Sequence, residues 1–94
     1  MSARILSQVP IPASRDTIVL LDWTSDEARH GRNLVRITPE GQVVWRATPP
    51  ENGTLDSFVA VEWEGAVLTA STWSCYRVTV DVDSGAITVL YFTK

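Results

Sequence analysis

Few side chains in this sequence have the type and spacing to do chemistry, and each admits only limited roles. His30 is the one histidine and Cys75 the one cysteine. Glu27 and His30 stand three apart, a spacing that puts two side chains on one face of a helical turn and could hold a metal ion. No second histidine or thiolate lies at ligand spacing, so neither a metal nor a cofactor is expected. A nucleophilic Cys75 would want His30 as its base, and no orienting third group is spaced to support the pair. A lone cysteine reads instead as a small buried hydrophobe. Asp81-Val-Asp83-Ser-Gly85 opens like a calcium loop, but Phe92 stands where the late bidentate glutamate belongs. That segment reads as a turn with an aspartate cap. Glu62 and Glu64, two apart, would share a strand face, which suits an acid–base pair and equally suits a solvated hairpin end. No catalytic residue is assigned.

The aromatic residues suggest binding. Asp22-Trp23 and Glu62-Trp63 are acid–tryptophan pairs at the ends of apolar runs, and Trp73 and Tyr76 flank a turn. With Glu62 and Arg77, the rings of Trp23, Trp63, Trp73 and Tyr76 could form a shallow platform for a sugar ring or a peptide, combining stacking surface with planar hydrogen-bonding groups. The same rings could instead fill a core that has few other large residues. The segment 22–32 carries Asp26, Glu27, Arg29, His30 and Arg32 between two apolar strands. Such a connection is a natural recognition loop.

The elements that must position these residues are strands. Of the 94 residues, 12 are Val, 5 Ile and 10 Thr, and these β-branched side chains favour a pleated surface. Thr17 to Trp23 is a mostly apolar run, the pattern of a buried strand. Asn33–Thr38 and Ser74–Val82 alternate, with Tyr76, Val78, Val80 and Val82 on one face. Thr38-Pro39-Glu40-Gly41 suits a type I turn, and Pro49-Pro50-Glu51-Asn52-Gly53 breaks the chain. Arg4–Val9 would be an edge strand, and Ser25–His30 a short helical turn. About eight antiparallel strands follow, in two blade-like four-stranded meanders within one all-β domain, 1–94; a small β-sandwich or barrel is the alternative. The two halves, roughly 1–48 and 54–94, repeat one plan, with Gly41 and Gly85 44 residues apart.

Two stretches of this repeat resemble quinoprotein-like β-propeller repeats, in which an acidic residue, a Thr-Gly turn and a Trp four residues after the glycine recur. Gly41-Gln-Val-Val-Trp45 has the tryptophan but has Ile37 in the acidic position. Asp81-Val-Asp-Ser84-Gly85 has the acid and a Ser-Gly turn, with Val89 in place of the tryptophan. The resemblance implies that Trp45 docks one blade on the next, and it implies no quinone. Two blades cannot close a ring, so either several copies assemble or the strands pack as a sandwich or barrel, which removes the open edges.

Charge and hydropathy narrow the partners. Seven Arg and one Lys face eleven carboxylates, for a net charge of −3, so no nucleic acid is expected. Apolar runs are too short for a membrane span or a signal segment, and the lone cysteine suits a reducing compartment, so a cytoplasmic protein is expected. The reading is a non-catalytic binding or interaction module that self-associates as a homo-oligomer. The alternatives are a lectin-like domain for a carbohydrate or small ligand, and a small hydrolase using the 22–32 loop.

Overall fold

Backbone alternation and turn chemistry divide the chain into two ladders. A computed structural model describes residues 4–22, 31–50 and 56–92. Every regular element is a strand: β1 Ile5–Pro10, β2 Thr17–Leu21, β3 Leu34–Ile37, β4 Val43–Arg46, β5 Phe58–Glu64, β6 Val67–Thr72, β7 Tyr76–Val80 and β8 Ile87–Phe92. They form two antiparallel four-stranded sheets, β1-β2-β3-β4 and β5-β6-β7-β8, each in chain order. The sheets share no ladder and do not close into a barrel. The eight expected strands are all present; β1 and β5 each reach one residue beyond the run read from sequence, to Pro10 and Glu64, and the other ends fall on that run's limits or up to two residues inside them. Ser25–His30, read from sequence as a helical turn, lies outside the described residues. Among the described residues no helix is long and apolar enough to cross a membrane.

The expected turns form. Gly41 donates its N–H to the Thr38 carbonyl at 2.9 Å, and Gln42 donates to Thr38 Oγ1 at 3.1 Å. In the matching turn of the second sheet, Asp81 Oδ1 accepts the N–H of Asp83 at 2.9 Å, the aspartate cap expected there.

Strand phase decides what is buried. Ile18, Leu20, Leu34, Trp45 and Ala47 of the first sheet meet Phe58, Val61, Leu68, Ala70, Val78 and Val80 of the second in one core. Val19, Leu21 and Val35 alternate with these and are buried on the opposite face of the first sheet. Burial on both faces is why β2 reads as a continuous apolar run rather than an alternation.

Three polar contacts set how the sheets meet. The fully buried Asn33 donates its Nδ2 hydrogens to the carbonyls of Leu21 (2.9 Å) and Phe58 (2.7 Å), and its Oδ1 accepts the Phe58 N–H at 2.9 Å. The side-chain amide thus takes the place of a neighbouring strand at the start of β5. Beside it, Gly31 (φ +74°) lies so close to the Asp56 carbonyl that any Cβ would overlap it. At the other side of the molecule, the Val82 carbonyl accepts both Trp45 Nε1 (2.7 Å) and Arg36 Nη1 (2.8 Å). The Trp45 ring covers Gly85, where a Cβ would come within 2.6 Å of it. Trp63 Nε1 donates to the Pro10 carbonyl at 2.8 Å, tying β5 back to β1.

Every ladder that involves an edge strand contains a bulge, and the extra residue always belongs to the edge: Leu6 in β1, Val44 in β4, Val59 in β5 and Leu90 in β8. The β2–β3 and β6–β7 pairs are regular. A bulge twists an edge away from flat pairing, a recurrent protection against sheet-to-sheet aggregation.

Replacing Asn33 by Leu strands the Phe58 N–H and two carbonyls in the interior, and should cost about 3 kcal/mol or more. Gly85→Ala forces the Trp45 ring off its turn, with an expected loss of about 2 kcal/mol. Urea unfolding monitored by circular dichroism measures both; a loss below about 0.5 kcal/mol in either variant would contradict the role given to that contact.

Candidate functional site

Antiparallel pairing gathers the expected polar binding residues on the outer face of the second sheet. Ser71 lies opposite Arg77, and Glu62 opposite Thr69. Arg77 Nη1 donates to Ser71 Oγ at 2.8 Å. Its Nη2 donates to Glu62 Oε1 at 2.7 Å, Glu64 Oε1 at 3.0 Å and Thr69 Oγ1 at 2.8 Å. Thr69 in turn donates to the Glu62 carbonyl at 3.2 Å. The arginine side chain is only 12% exposed, whereas the two carboxylates are more than half exposed. Burial works against the guanidinium charge, but the hydrogen bonds and charges of Glu62 and Glu64 outweigh it and raise the arginine above its ordinary range. A raised pKa makes that contribution to stability complete at every pH below the arginine range and lost only in strong alkali. Of the residues expected to form a binding platform, the structure brings Glu62 and Arg77 into contact. Their hydrogen-bonding capacity is directed at each other and at the sheet, and both glutamates turn onto one nitrogen rather than facing each other across a substrate-sized gap.

The aromatic residues fall at separate places. Trp63 is half-buried against the core near the end of β5, and Tyr76 packs on the same core from β7. Trp73 is 70% exposed in the β6–β7 turn, and its N–H donates to Ser57 at the opposite end of β5. About five residues of extended strand, roughly 17 Å, therefore separate Trp63 from Trp73. Among the described residues no single platform unites Trp63, Trp73, Tyr76 and Arg77. Cys75, read from sequence as a small buried hydrophobe, is instead exposed beside Trp73, because it sits in the β6–β7 turn with φ +72° rather than in the strand. Of the recognition loop, Arg32 is exposed and donates to the Arg46 carbonyl at 3.5 Å. Trp23, Asp26, Glu27, Arg29 and His30 lie outside the described residues.

A cleft of about 400 Å³ opens where the two sheets part, between the loop that follows β1, the β5–β6 turn and the turn around Val82. Ile11, Pro12, Ala66 and Val82 give it apolar walls, the Trp63 side chain lines it, and Arg36 and Asp83 supply its charges. Ala13, at φ +62° beside Pro12, completes a tight turn closed by the Ser14 N–H on the Ile11 carbonyl. Arg36 is held from below: Nε donates to Asp16 Oδ2 at 2.9 Å and Nη1 to the Val82 carbonyl. The sequence reading singled out Trp63 here and missed Arg36, Asp16 and Asp83. The available signal was phase: Arg36 occupies an inward position of β3, opposite Ile18, where an apolar residue would be the rule.

Residues 7–92 match the family described as a domain of unknown function, DUF7957, and the chain belongs to that family. No curated protein and no solved structure matches it.

The Arg77 cluster braces the sheet by joining β5, β6 and β7. Arg77→Met, which leaves Thr69 and two neighbouring carboxylates without their donor, should lower stability by about 2 kcal/mol. Glu62→Gln removes one exposed partner and should cost less than about 1 kcal/mol. Chemical denaturation of the two variants checks the order; a Glu62 effect equal to that of Arg77 would contradict it.

Proposed function

We infer that the chain is a non-catalytic interaction module that works in the cytoplasm and self-associates through one side of the sandwich. The observation that carries this reading is the distribution of exposed apolar side chains. Five large ones, Val43, Val44, Val89, Leu90 and Tyr91, belong to β4 and β8 and are 41–54% exposed. These two edges lie on the same side of the molecule: Trp45 of β4 covers Gly85, and a groove runs between Arg46 and Thr48 on one bank and Ser84, Ala86 and Ile87 on the other. β8 contains no charged residue, no proline and no glycine. Exposed apolar side chains gathered on one side of a protein mark an association site.

The bulges at Val44 and Leu90 govern the form such association takes. They interrupt the flat ladder that an added strand would need, so contact runs through side chains. That limits growth and favours a closed oligomer over an open fibre. The excess of carboxylates over basic side chains, with a net charge of −3, supports a protein partner over a nucleic acid.

Light scattering coupled to size exclusion across a dilution series tests this. The wild type is expected to exceed the 10.4 kDa chain mass at high concentration and to dissociate on dilution. Val44→Lys combined with Leu90→Lys should weaken association at least about tenfold, because an ammonium group in an apolar contact is costly to desolvate. A wild-type monomer at every concentration would overturn the reading.

A further inference from the structure

We propose that β1 is an exchangeable strand: two copies of this chain each seat their own β1 on the β2 of the other. β1 is an edge strand whose residues are exposed apart from the half-buried Val9. It is held by its ladder to β2, which the Leu6 bulge interrupts, and by one bond near each end. Trp63 Nε1 donates to the Pro10 carbonyl, and the Asp22 N–H donates to the Arg4 carbonyl at 2.7 Å. The β1 of a second copy meets the same partners, so every one of these contacts is remade on exchange. Exchange also replaces β1 instead of adding a strand to its bulged edge. The closed and exchanged forms therefore differ at the hinge between β1 and β2.

The hinge favours opening. In Val9-Pro10-Ile11-Pro12 each proline fixes its own φ and drives the residue before it to extended backbone, so the chain runs straight out of β1. It is turned back at Ala13, which holds φ +62°, a left-handed conformation that penalises a residue with a Cβ. A short hinge under strain is the ordinary prelude to exchange. Straightening it gives up the Ser14 N–H bond to the Ile11 carbonyl and the Asp16 N–H bond to Ser14 Oγ, both 3.1 Å. Residues 12–15 are already exposed, so water takes over these groups and no apolar surface is uncovered. Ile11 travels with β1 into the core of the other copy, while Asp16 stays with β2, paired to Arg36. The exchange uses none of the β4–β8 side and does not depend on association there.

Disulfide trapping in the intact chain tests this. Gln8 and Val19 are partners in the β1–β2 ladder, at a separation a disulfide can span, and Val19 is fully buried, so a thiol at position 19 is reached only by a strand lying on β2. Two chains of different mass, one with Gln8→Cys and one with Val19→Cys, both with Cys75→Ser, are refolded together at high concentration and oxidised. A disulfide-linked mixed dimer is expected on a non-reducing gel. Ala13→Gly in both chains should lower its share at least about threefold, because glycine relieves the closed hinge. Val44→Lys with Leu90→Lys should leave it unchanged. Without any trap, a chain carrying only those two lysines should give a dimer after refolding at high concentration that persists on dilution, measured by light scattering. A monomer there, no mixed dimer on the gel, or a mixed dimer that ignores Ala13→Gly or vanishes with the two lysines would overturn the proposal.

Discussion

The primary amide of Asn33 is the contact on which the arrangement of both sheets depends. The linker between them must hand the chain from the end of one meander to the start of the next. At that junction the first residue of β5 has a backbone donor and acceptor buried on the side away from β6. Asn33 supplies a matching acceptor and donor, and uses its remaining hydrogen on the Leu21 carbonyl. A hydroxyl could not make all three bonds, and an apolar residue would make none. Gly31 and Asp56 close the same junction from the side, at a separation that leaves no room for a side chain. With β5 held there, Ile18, Leu20 and Leu34 pack with Phe58, Leu68 and Val78 in one core.

The second fixed point lies at the opposite side, where one carbonyl takes two donors. Val82 receives both the Trp45 indole and the Arg36 guanidinium, and the turn carrying it is shaped by the Asp81 cap and by the bare Cα of Gly85 under the indole. With one polar clamp at each side, the two sheets are held face to face although no backbone ladder joins them. The cleft that contains Trp63, Arg36 and Asp83 is a by-product of this arrangement. It opens where the sheets diverge around the Val82 clamp.

Strand number, turn positions and the core-facing phase were legible in the residues, because alternation with period two and Pro/Gly/Asp turns are local properties. Tyr76, Val78, Val80 and Val82 were read onto one face, and that face is the core. Glu62 and Glu64 were correctly put on one strand face, but their common partner Arg77 comes from two strands away, and only register brings it there. Asn33 was illegible for another reason: asparagine before a strand is ordinary loop composition, and its partner is 25 residues distant. The bulges shift the phase by one residue, so Leu6, Val44 and Leu90 read as regular strand positions and are not. The tryptophans misled in a different way, because a residue type shared by several strand ends says nothing about which ends are close.

The Val82 clamp also bears on the order in which the protein can be made. Trp45 leaves the ribosome 37 residues before its acceptor does, and Pro10 precedes the Trp63 indole by 53. At about 5–20 residues per second, the first sheet spends roughly two to seven seconds with Trp45 and the inward faces of Ile18, Leu20 and Leu34 uncovered. During translation the nascent first sheet is thus a half-sandwich with an open apolar face. The bulges on its two edges are then the features that keep neighbouring nascent chains from pairing with it.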